Sequence, residues 1–296
     1  MKKIIFPLVI FLMASLSMCK STEWTQVSAG QLTIITSSHT PFPHPLRADG
    51  HDYNDTHFGF EEHYNDSSVA IFVPDSYRKT DAVDLVFYFH GWGNSIQESI
   101  EKFNLLDQFS ASNANAIFVF PEGPKDASDS FGGKLEEPLI FKALVEDVLA
   151  FLSHEKKIDK AVPGKIILSG HSGAYRVISF VLNRGGLTDH ISEVYLFDAL
   201  YGQVENYTHW LENDKGRMIN ITTPNGGTSR NSAELIEDLT DWGIPNQRFD
   251  KNDVSEADLK TSKIITVFTT LGHSEVIDPF FKLALLSSDL LKVEKN

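Results

Sequence analysis

An α/β fold, a mostly parallel sheet with helices on both faces, is what three features of this chain of 296 residues predict. From Ser68 onward, compact runs rich in Val, Ile and Phe alternate with longer amphipathic stretches, the pattern of successive βαβ units. Residues 165–174 read KIILSGHSGA, an apolar run that ends at a serine between small residues and passes into a helical pattern. Hydrophobic residues make up 42% of the chain, enough for one large domain to bury its own core.

The first stretch is not part of that core. Residues 1–18 hold Lys2 and Lys3, then the apolar run Ile4 to Met13, then small residues up to Cys19, the layout of a signal peptide. The run is too short to span a bilayer. Two cleavage readings stand open: after Ser17, or lipoprotein processing at Leu16-Ser17-Met18-Cys19, where Met18 is bulky for such a box. The expected destination is export, as a periplasmic, secreted or lipid-anchored protein of a bacterial membrane. Membrane attachment would run only through a lipidated Cys19. As Cys19 is the single cysteine, neither an intrachain disulfide nor a thiolate metal site can form. The net charge of -14 becomes -16 once Lys2 and Lys3 leave, which disfavours nucleic acid and anionic membrane surfaces as partners. A small-molecule or acyl substrate is the partner that remains.

Residues 19–65 are polar, rich in His and Pro, and read as an N-terminal leader with a short strand or two, one of them near Gln31 to Thr36. His39, His44, His51, His57 and His63 fall here beside several acids, yet their spacing matches no ligand pattern, so they read as solvated surface and not as a metal site. The α/β domain is placed at residues 66–292. Its strands are expected at 68–73, 84–89, 116–120, 165–169, 194–198, 217–222 and 264–269. Helices are expected at 95–110, 138–155, 173–185, 203–214, 229–240 and 275–291. Pro74 to Val83 is too short for a helical crossover, so the first two strands should be antiparallel. The Gly-, Pro- and acid-rich loop Pro121 to Pro138 should overhang the carboxyl ends of the strands, where ligands bind in such sheets.

Ser172 is the expected nucleophile. A hydroxyl attacks well only if it projects from the backbone toward both a base and a substrate, and a sharp strand-to-helix turn with small residues two places either side achieves this. Gly170 and Ala174 fill those places. After the run Leu85 to Phe89 comes His90-Gly91-Trp92-Gly93, a loop free to aim amides at an oxyanion. The expected donors are the amides of Trp92 and Gly173. His273, just past the last apolar strand, is the expected base, with His171 as a packing or orienting residue and His90 as structure beneath the oxyanion loop. The acid that holds the imidazole is expected at Asp198, which ends an apolar run. A later acid remains a rival, although Thr223 to Thr228 contains no carboxylate and the next is Glu234. Tyr175 and Arg176 could meet an anionic group or anchor their helix to a neighbouring loop.

In the order oxyanion loop, nucleophile, acid, histidine, over residues 66–291, the chain resembles the α/β-hydrolase family. That resemblance implies an eight-stranded, mostly parallel sheet and Ser-His-Asp acyl transfer, with no cofactor or metal. Ala174 and the early position of the acid depart from the family pattern. The expected function is a serine hydrolase that cleaves a carboxylic ester or amide through an acyl-enzyme, foremost an esterase. An exported peptidase or cell-wall amidase shares these residues, and a lipid-anchored binding protein could keep the scaffold without turnover.

Overall fold

The computed structural model describes residues 23–213, 216–224 and 227–293. The expected signal peptide and Cys19 lie outside the described residues. Along the chain the elements are β1 (Thr25–Val27), β2 (Gly30–Thr36), β3 (His51–Tyr53), β4 (Thr56–Phe58), α1 (Phe60–His63), β5 (Ser68–Pro74) and β6 (Val83–Phe89). Then come α2 (Ile96–Lys102), α3 (Leu105–Ala111), β7 (Ile117–Pro121), α4 (Ile140–His154), β8 (Pro163–His171), α5 (Tyr175–Arg184) and β9 (Ile191–Phe197). The last third holds α6 (Val204–Asn213), β10 (Arg217–Thr222), α7 (Ser229–Asp241), β11 (Gln247–Asp250), β12 (Ile264–Phe268) and α8 (Ile277–Leu286).

Among the described residues, ten strands form one sheet in the order β1-β2-β5-β7-β6-β8-β9-β10-β12-β11, and β3 with β4 forms a separate hairpin. Every pair from β7 to β11 is parallel. β5 runs antiparallel to both β2 and β7, so β5 and β6 point in opposite directions as their short connection requires, with β7 inserted between them. Two corrections follow. The sheet has ten strands where the resemblance implied eight, because β1 and β11 extend its edges. Each is three or four residues long and mostly exposed, without the apolar alternation that marks a strand in sequence. The boundary expected at residue 65 falls within this sheet, since β2 pairs with β5 along its whole length.

Strand side chains alternate between two apolar layers. Leu85, Phe87, Val119 and Leu168 face one cluster, covered by Leu144 and Val148 of α4 and by Ile178 and Val181 of α5. Val86, Tyr88, Phe118 and Ile167 face the other, covered by Phe109 of α3 and by Phe280 and Phe281 of α8. The helix expected at 95–110 is two helices, because Asn104 takes a left-handed φ of 48° that interrupts the ladder. The histidines of the leader disperse into separate contacts, His39 with Asp147, His44 with Glu137, His57 with Asp52 and His63 with the Lys125 carbonyl. Among the described residues no group of three or more His, Cys, Asp or Glu is poised to hold a metal ion.

Candidate active site

β8 ends at His171, a 3-10 turn covers Ser172–Ala174, and α5 starts at Tyr175. Ser172 has a φ of +53°, a strained value for a residue with a Cβ, and this strain marks the sharp turn that the sequence predicts. A Cβ on Gly170 would lie 2.6 Å from the Cβ of Ala174 and 2.8 Å from Cδ1 of Ile178, so the elbow tolerates Ala174 because Gly170 leaves its methyl room. Phe89 pairs with Gly170 in parallel register, and the loop His90 to Gly93 therefore leaves the sheet beside the serine. A Cβ on Gly91 would stand 2.6 Å from the Cβ of Ser172, an approach only glycine permits.

Trp92 follows. Among the described residues its amide donates to no protein acceptor, and Gly173 sits in the first turn of a helix, where N–H groups lack intrahelical partners. The Trp92 indole lies over Gly173 and donates from Nε1 to Ser130 Oγ at 2.7 Å, while Tyr53 packs edge-on against it at 4.9 Å. Ser130 belongs to the loop expected to overhang the strand ends. That loop is fastened by Arg47 to Asp129 at 2.7 Å and by Arg176 to Glu136 at 2.6 and 2.9 Å, so Arg176 serves as an anchor for its helix.

Asp198 terminates β9 with a φ of +45° and is fully buried. Its carboxylate accepts from the backbone N–H of Thr223 at 3.1 Å, from Thr223 Oγ1 at 2.6 Å and from Thr228 Oγ1, and His273 Nδ1 lies 2.5 Å away. Burial pushes the Asp198 pKa up, but the bonds from His273, Thr223 and Thr228 outweigh it and hold the carboxyl below its ordinary value. The structure thus joins His273 to Asp198 and brings its ring to 4.4 Å from that of His171, the residue before the serine. Among the described residues no hydrogen bond joins His273 to Ser172, and the ring of Tyr201 lies 6.3 Å from that of His273. Burial and the Asp198 charge push the Tyr201 pKa up to about 12, with Ser172 pulling the other way. Such catalytic hydrogen bonds are often loose without substrate and tighten in the complex.

Two further histidines frame the site. His171 donates from Nε2 to the backbone carbonyl of His273 at 2.9 Å, and burial, reinforced by the charge of His273, lowers its pKa to about 3. It is therefore a neutral tie between the end of β8 and the loop that follows β12. His90 begins the loop after β6, with Nδ1 2.7 Å from the Gly91 carbonyl and Nε2 2.9 Å from Glu122.

No protein-family model and no curated protein sequence matches the chain. Among solved structures, a mutant feruloyl esterase module from Clostridium thermocellum, complexed with sinapinate, is similar at TM-score 0.55 and 13% identity over 90% of this chain and 91% of that one. The chain has the α/β-hydrolase fold. S-formylglutathione hydrolases from Staphylococcus aureus (TM-score 0.47, 10% identity, 74% and 91% covered) and Agrobacterium tumefaciens (0.45, 13%, 89% and 97%) are also similar, and the fold assignment rests on the feruloyl esterase module.

Within this α/β-hydrolase fold, sequence reasoning missed Thr223, Thr228, Tyr201 and Glu122. The Thr223 to Thr228 loop was notable in sequence only for lacking a carboxylate. Its hydroxyls supply what a buried Asp198 needs, and two hydroxyl residues at the carboxyl end of a strand were the available signal. Glu122, directly after β7, was likewise visible as an acid at a strand end.

Proposed function

We propose that the protein is an exported serine hydrolase that cleaves carboxylic esters, with Ser172 as nucleophile, His273 as base and Asp198 as the acid that orients it. The observation that carries this reading is the 2.5 Å contact between His273 and a buried, ionised Asp198, set beside a strained serine at the end of β8. His273 takes the Ser172 proton on Nε2 as Oγ bonds to the ester carbonyl carbon, and the amides of Trp92 and Gly173 receive the oxyanion. Collapse breaks the bond to the alcohol oxygen, which receives that proton. Water, deprotonated by the same imidazole, then attacks the acyl carbon, and Ser172 departs with its proton restored. Asp198 keeps Nδ1 protonated throughout, leaving Nε2 free to work.

Aromatic rings lie near the site: Trp92, packed against Tyr53, covers Gly173, and Tyr201, packed against Tyr175, stands 6.3 Å from the His273 ring. They support an ester with an aromatic group, and the similar feruloyl esterase module carries sinapinate. The test is a panel of p-nitrophenyl esters and methyl ferulate with wild type, Ser172→Ala and Asp198→Asn, plus labelling by a fluorophosphonate. Wild type should be labelled at Ser172, Ser172→Ala should lose turnover and label, and Asp198→Asn should lower kcat by roughly 10³- to 10⁴-fold. Undiminished turnover in folded Ser172→Ala would refute the reading.

A further inference from the structure

Building on the serine-hydrolase reading, we propose that His90 is a positioning residue for the oxyanion hole: it fixes the Gly91–Trp92 peptide so that the Trp92 N–H faces the reacting carbonyl, and Glu122 fixes His90. The carbonyl of Gly91 and the N–H of Trp92 belong to one planar trans unit and point in opposite directions. That carbonyl lies 2.7 Å from His90 Nδ1, and because a carbonyl oxygen only accepts, Nδ1 is the nitrogen that carries hydrogen. With the carbonyl held inward, the Trp92 N–H is turned away from His90, and among the described residues it donates to no protein group. A bond accepted at the carbonyl also strengthens the N–H of the same peptide as a donor.

The other side of the ring is held as firmly. Nε2 lies 2.9 Å from Glu122 Oε1, and Glu122 Oε2 accepts from the backbone N–H of Ile96 at the start of α2. The Gly123 N–H also approaches Nε2, at 3.1 Å. His90 and Glu122 are both buried. Burial disfavours the imidazolium, yet the contact with Glu122 outweighs it and raises the His90 pKa. Whether Nε2 holds a proton or accepts from Gly123, Nδ1 still donates to Gly91. The pair therefore connects the end of β7 and the start of α2 to one peptide of the oxyanion loop.

Asn and Gln separate this role from space filling, because an Asn side chain places its nitrogen near the position of Nδ1 and a Gln side chain near that of Nε2. The measurements are kcat and KM for a p-nitrophenyl ester, and Ki for a trifluoromethyl ketone with the same acyl group, which forms an oxyanion on the serine. His90→Gln should lower kcat by roughly 10- to 100-fold, leave KM within about 3-fold and weaken the ketone by a similar factor to kcat. His90→Asn should retain kcat within about 5-fold of wild type. Equal losses in the two variants, or an unchanged Ki in His90→Gln, overturn the proposal and leave the hydrolase reading standing as long as wild type turns over. Should neither His90 variant fold, Glu122→Gln decides: a parallel loss of about 3- to 10-fold in kcat and ketone affinity is expected, and no loss overturns the proposal. A wild type without turnover or label overturns both readings together.

Discussion

At the scale of single residues, the site is governed by which groups keep or lose their charge once buried. Asp198 remains ionised because hydrogen bonds from Thr223, Thr228 and His273 replace the water it gives up. His171 is the opposite case: among the described residues it has one acceptor, the His273 carbonyl, and none at Nδ1, so a proton there would be buried without compensation. Its pKa falls from 6.5 to about 3, and between those values only the unfolded chain takes up the proton. The stability linked to His171 is thus fully present above its ordinary value and is lost as the pH falls toward about 3. Denaturant melts should show wild type losing about 2 kcal/mol more than His171→Gln between about pH 6.5 and 5, at a limiting slope near 1.4 kcal/mol per pH unit. Parallel stability profiles for the two proteins would show that His171 is charged in the fold.

Between residues and whole molecule, the strand–turn–helix unit of β8 and α5 sets the tolerance of the elbow. The departure at Ala174 is accommodated by a compensating absence, since Gly170 has no Cβ where Ala174 places its own. The pair should behave as one volume. Gly170→Ala should cost roughly 1–3 kcal/mol of stability by overpacking, and Ala174→Gly introduced with it should recover a large part of that loss. Additive losses in the double variant would disprove the coupling. The loop 121–138 depends on its neighbours in a similar way: Arg176 on α5 holds Glu136, and Ser130 receives the Trp92 indole. The first helix of the domain failed as a single element for a local reason, a left-handed Asn104 that no apolar periodicity reveals.

For the whole molecule, the sheet gathers the carboxyl ends of β6, β8, β9 and β12 along one rim, and each contributes a side chain or loop to the site. The N-terminal segment is part of that sheet. Leu32 packs on one apolar layer and Ile35 on the other, while β2 covers the backbone edge of β5. A chain beginning at residue 66 should therefore expose an apolar strand edge and aggregate, whereas one beginning at residue 23 should remain monodisperse. Size-exclusion chromatography of the two truncations checks this, and a monodisperse shorter chain would contradict it.

The strands β5 to β10 and β12, the helices α4 to α8 and the strand–turn–helix at Ser172 were readable in advance, because periodicity and small residues around a tight turn are local properties. Edge strands β1 and β11 were not, since a short, half-solvated strand needs no pattern of its own and takes its register from its neighbour. Positions at strand ends favoured His273 as the base and Asp198 as its acid, with a later acid left as a rival. What only the tertiary structure decided was how that pair is supported: Thr223 and Thr228 on the acid, His171 on the histidine loop, and His90 with Glu122 beneath the oxyanion loop. Those contacts join segments remote in the chain, and hydrogen-bond partners of buried charges are selected by proximity in space, which no local pattern encodes.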